Sequence, residues 1–75
     1  MSNAAERPVV VVIAHASQDW ARSVEQHRAT AREVVVILRK HGEPLRALAA
    51  RVLDRVETLR TDGLAVQPMW LHSET

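Results

Sequence analysis

The chain contains no cysteine. That absence removes disulfides, thiolate zinc sites and thiol nucleophiles together. Phenylalanine and tyrosine are missing too, and Trp20 and Trp70 are the only aromatic residues, too few for a platform on which bases stack. Glycine occurs only at Gly42 and Gly63, so the sequence holds no glycine-rich phosphate loop. Charge of one sign is scarce as well. A formal net charge of +1 by itself implies neither a nucleic acid nor an acidic membrane as partner. No apolar run approaches membrane-spanning length. The Val9–Ile13 run followed by Ala14-His15-Ala16 has the outline of a secretion signal, but its apolar part is short and Glu6 cancels Arg7. A buried strand is the better reading, and a cytoplasmic location is expected.

What the chain does have is apolar content, 47% of its 75 residues, which is normal for a folded domain. A chain this short buries a modest fraction of its unfolded surface. Without disulfides or a metal, association with another chain is the expected supplement. The expected organisation is a flexible leader over residues 1–7, one small αβ domain over 8–71 and a polar tail over 72–75.

The clearest local signal is Lys40-His41-Gly42-Glu43-Pro44 and the stripe behind it. Gly42 suits a left-handed helix end, and Pro44 suits the first turn of the next helix. Leu45, Leu48, Ala49, Val52, Leu53, Val56 and Leu59 then recur at helical spacing, with Arg46, Arg51, Asp54, Arg55, Glu57 and Thr58 on the other side. This predicts an amphipathic helix over 44–60 with Val52 and Leu53 at the centre of its buried stripe. Thr61-Asp62-Gly63 ends it, with Gly63 as the left-handed cap.

Pro8 to Ala14 is a β-branched run without alternation, the pattern of a strand buried on both faces. Leu64 to Leu71 reads as a second strand, placed at an edge by Pro68, which cannot donate to a ladder. Between them, Ser17 is the expected N-cap of a helix and Asp19 suits its positive end. Trp20, Val24, His27, Ala31, Val34, Val35 and Leu38 fall on one helical face, and no Gly, Pro or Asn interrupts residues 18–40. One long helix is therefore preferred there, ending in the basic cluster Arg39-Lys40-His41. The competing reading makes Glu33–Arg39 a strand, on the β-propensity of Val34-Val35-Val36-Ile37. The preferred fold is thus α+β, strand–helix–helix–strand, a helical hairpin on a small sheet completed by a second subunit. The alternative is α/β, βαβαβ with a small parallel sheet joined by right-handed crossovers.

Little here carries chemistry. His15, Ser17 and Asp19 are the residue types of a hydrolytic triad, but alternate residues of one short segment cannot converge as that mechanism requires. None of His15, His27, His41 and His72 lies three or four residues from another histidine or from a carboxylate in a metal-binding pattern. No catalytic residue, metal or cofactor is expected, and the chain reads as a non-enzyme.

Two partial resemblances stand beside this. Val11-Val12-Ile13-Ala14-His15-Ala16-Ser17-Gln18-Asp19-Trp20 resembles the opening strand and loop of TIR-type signalling domains, which implies a TIR-like signalling fragment. Ala31 to Leu45 is similar to the first helix of winged-helix DNA-binding domains, and Thr58 to Val66 to a recognition helix running into a wing. That second likeness implies a nucleic-acid-binding regulator with Arg46, Arg51 and Arg55 as phosphate contacts; Arg39 to Arg60 holds six basic residues against three acids. Neither likeness spans the chain. The leading expectation is a small interaction or regulatory protein, acting as a homodimer or as a component of a larger assembly. Its interface candidates are Val9, Val11, Ile13, Trp20, Val24 and Trp70.

Overall fold

In the computed structural model, which describes residues 6–40 and 44–71, the elements run β1 (Val9–His15), α1 (Trp20–Glu25), β2 (Glu33–Arg39), α2 (Leu45–Thr61) and β3 (Val66–Trp70). The three strands form one sheet in the order β1-β2-β3, and both pairings are parallel. The protein is therefore a βαβαβ unit of the α/β class. Two crossovers of the same hand, stepping the same way along the sheet, leave both helices on one face. The core confirms this: Trp20, Ala21 and Val24 of α1 join Val52, Val56 and Leu59 of α2 over Val34, Val36, Leu38 and Val66.

The preferred strand–helix–helix–strand arrangement is corrected here. The helix expected over 18–40 stops at Glu25, and Glu33–Arg39 is the central strand. The turn that separates them contains neither glycine nor proline. It is closed by backbone bonds instead, from the His27 N–H to the Val24 carbonyl, Arg28 to Glu25, Thr30 to His27 and Ala31 to His27. Ordinary residues in right-handed turn geometry suffice for this, and the β-branched run then finds ladder partners on both sides. A parallel strand can be central only after a crossover, so the sheet is parallel rather than the antiparallel pair expected.

Two smaller corrections concern the helices. α1 starts at Trp20 with Asp19 at the N-cap, where no side-chain capping bond forms; Ser17 lies in the preceding turn. In α2, Val52 is buried at 2% exposure but Leu53 stands 60% exposed. Leu53 sits about 100° around the helix from Val52, outside the arc of Leu48, Val52, Val56 and Leu59 that meets the sheet. The cap expected at Gly42 falls outside the described residues.

The end of α2 follows expectation. Gly63 takes φ of +90°. Its N–H donates to the Arg60 carbonyl, and the Leu64 N–H reaches back to the Leu59 carbonyl. This is the doubly bonded left-handed cap, with Leu59 and Leu64 both buried beside it.

Candidate interaction surface

Side chains of a strand alternate between faces, and the register aligns three rows. Val10, Val34 and Val66, then Val12, Val36 and Pro68, then Ala14, Leu38 and Trp70 face the helices. Val11, Val35 and Gln67, then Ile13, Ile37 and Met69, face the other way. Nothing among the described elements covers that second face, since both helices lie on the first. Val11 is 56%, Ile13 65% and Met69 52% exposed, while Val35 and Ile37 between them are half-buried. The valine and isoleucine run of β1 is thus half-buried on the helix side and exposed on the other, where sequence reading expected burial on both.

The interface candidates divide accordingly. Val9, Val11 and Ile13 are exposed on the open face. Trp20 and Val24 are inside the protomer's own core, and Trp70 is half-buried against it. Met69 and the neighbouring Leu71 join the open patch, and sequence reading missed both. The signal available was the alternation of Val66, Pro68 and Trp70 with Gln67, Met69 and Leu71, which assigns the two sets to opposite faces once β3 is parallel to β2.

The strand edges differ as much as the faces do. In a parallel ladder, alternate residues direct both backbone groups to one neighbour. On β3 the Leu71 N–H donates to the Leu38 carbonyl and the Ala65 carbonyl accepts from Val34, so Val66, Pro68 and Trp70 point their backbone outward. Pro68 has no N–H to offer, and the Val66 carbonyl already accepts from Arg60 Nε at 3.0 Å. On β1 the Pro8 carbonyl accepts from Arg32 and the Ala16 N–H donates to the Arg39 carbonyl. The even residues therefore bind β2, and Val9, Val11 and Ile13 turn their N–H and C=O groups outward.

A second feature is a shallow cleft at the C-terminal end of β1, lined by Ala16, Ser17, Gln18, Asp19, Trp20, Arg51 and Arg55. Open α/β sheets hold ligands at that end of their strands. Arg51 and Arg55, one helical turn apart on α2, do converge on the turn before α1; Arg46 does not line the cleft. Asp19 shares it, however, and opposes an anion there. Asp54 lies beside the same two arginines on the outer surface of α2. The segment that resembles the first winged helix contains β2, a strand over Glu33–Arg39.

Two further charged groups tie the helices together. Arg28 donates to both carboxylate oxygens of Glu25, at 3.0 and 2.7 Å, and its Nη1 reaches the Asp62 carbonyl at the end of α2. The hydrogen bond from Arg28 holds the Glu25 carboxyl below the ordinary carboxylate range. Among the described residues no group of three His, Asp or Glu side chains gathers as metal ligands would. No helix among them is long and apolar enough to cross a membrane.

Fold and surface together define a class: a minimal α/β unit with a parallel sheet, helices on one side and an apolar face on the other. No protein-family model matches the chain, and no curated protein or solved structure resembles it significantly.

Proposed function

We propose that this protein is a non-enzymatic interaction module that works by self-association, as a homodimer. One observation carries the reading: the sheet face opposite the helices is apolar and open. Parallel sheets occur almost only with both faces covered, and strands buried on both faces are apolar throughout. Here Val9, Val11, Ile13 and Met69 are exposed beside half-buried Val35 and Ile37, a contiguous apolar patch of the kind that marks sites of interaction. The edge of β1 borders this patch, so a second copy can meet face or edge with the same residues. The nucleic-acid reading has less support, because Asp54 and Glu57 interrupt the row of Arg46, Arg51 and Arg55 on α2.

Sedimentation from micromolar to near-millimolar protein tests the proposal. The wild-type chain is expected to shift from monomer to dimer over that range. Ile13→Lys, which places a charge on both the open face and β1, should hold it monomeric, whereas Thr58→Lys on the exposed side of α2 should change nothing. A wild-type chain that stays monomeric, folded and indifferent to concentration overturns the reading.

A further inference from the structure

We infer that the second copy is held by antiparallel pairing of β1 with β1, which extends the sheet to six strands. This rests on the self-association reading and adds its geometry. The argument comes from the unequal edges. Proteins that must keep a sheet edge from pairing place proline, charge or a covering group along it. The β3 edge carries two such devices: Pro68 points its donor-less nitrogen outward, and Arg60 occupies the outward carbonyl of Val66. Among the described residues, the β1 edge from Val9 to Ala14 carries none. It has no proline and no charged residue, and Val9, Val11 and Ile13 present alternate N–H and C=O groups along a strand about 23 Å long.

Blocking one edge also decides the symmetry. Pairing β1 of one copy with β3 of the next would repeat head to tail, growing into a filament unless the rotation closes a ring. Pro68 and Arg60 obstruct that route. The pairing left is β1 with β1, related by a two-fold axis normal to the sheet, which makes the strands antiparallel and the assembly closed. An axis through Val11 sets Val11 beside its own mate and Val9 beside the partner's Ile13. Only β-branched aliphatic side chains then lie opposite one another on the open face, a favourable cross-strand set. Such a junction forms about six backbone hydrogen bonds but buries well under the area of a standard stable interface. A weak, concentration-dependent dimer is therefore expected.

Amide hydrogen exchange, read residue by residue at low and high concentration, tests this on the unmodified chain. In the dilute monomer Val9, Val11 and Ile13 should exchange fast while Val10, Val12 and Ala14 are protected. In the dimer that alternation should vanish, with at least tenfold slowing at the three outward amides. Two variants separate edge from face. Val11→Pro removes an outward N–H that no bond within the sheet uses, and should abolish dimerisation while circular dichroism stays native. Gln67→Lys charges the exposed face of β3, two strands away from the edge and outside the apolar patch, and should leave the dimer intact. A dimer whose Val9, Val11 and Ile13 amides still exchange fast, or one lost in Gln67→Lys but kept in Val11→Pro, overturns edge pairing and leaves self-association standing. A chain monomeric at every concentration overturns both.

Discussion

Val52 and Leu53 are neighbours of similar hydrophobicity with opposite duties. Val52 contacts the sheet through the core it shares with Val56 and Leu59, and Leu53 faces water. Deleting buried methyl groups costs their transfer energy plus that of the cavity left behind. Val52→Ala should therefore destabilise the fold by about 1–3 kcal/mol, and Leu53→Ala by less than about 0.5 kcal/mol. Chemical denaturation of the two variants checks this; equal losses would mean that the helix is rotated from the orientation described. A sequence stripe of adjacent leucine and valine cannot make this distinction, because an apolar residue at the margin of the stripe fits the period as well as one at its centre. The contact with the sheet makes it. Gly63 is different, since its role was legible from Thr61-Asp62-Gly63 alone: a left-handed residue after a helix is a local demand, met by the residue without a Cβ.

The element that sequence reading gets wrong is β2. Val34, Val35 and Leu38 fit a helical face extended from Val24 and Ala31, and nothing in residues 26–31 announces a turn. What decides is pairing, since Val34–Leu38 gains a ladder on each side and a helix would gain neither. The turn before it is held by Arg28, which grips Glu25 and also bonds the Asp62 carbonyl at the far end of α2. Because the folded state lowers the Glu25 pKa, its contribution to stability is present above the unfolded value and disappears as pH falls through the folded one. Both partners are exposed, so that contribution is small. A carbon-detected NMR titration should find the Glu25 carboxyl titrating below the ordinary glutamate value, and Arg28→Ala should move it back up with little change in melting temperature. An unshifted Glu25 in the wild-type chain would show that the pair does not persist in solution.

For the whole molecule, the decisive fact is that two helices lie on one side of a parallel sheet. The core on that side is continuous from Trp20 to Val66, but the open face contributes nothing to an isolated protomer. Whatever binds the folded state alone raises its apparent stability by mass action. The melting temperature should therefore rise with protein concentration in the wild-type chain and be flat in Ile13→Lys. A melting temperature that is independent of concentration for both would show that folding and association are uncoupled.

The sequence by itself determined the pieces set by local chemistry: β1, the start of α2 after Pro44, its cap at Gly63 and the edge position of Pro68. It also marked Val9–Ile13 as an apolar run without alternation, of which Val9, Val11 and Ile13 are left exposed. Tertiary structure alone decided that residues 33–39 are a strand, that all strands run parallel and that Trp20 and Val24 point inward. It alone separated Val9, Val11, Ile13 and Met69 as the surface left open. The reason is physical: a β-branched run satisfies its backbone through partners distant in sequence, and which face of a strand is covered depends on where the crossovers set the helices. Neither quantity is a property of any window of residues.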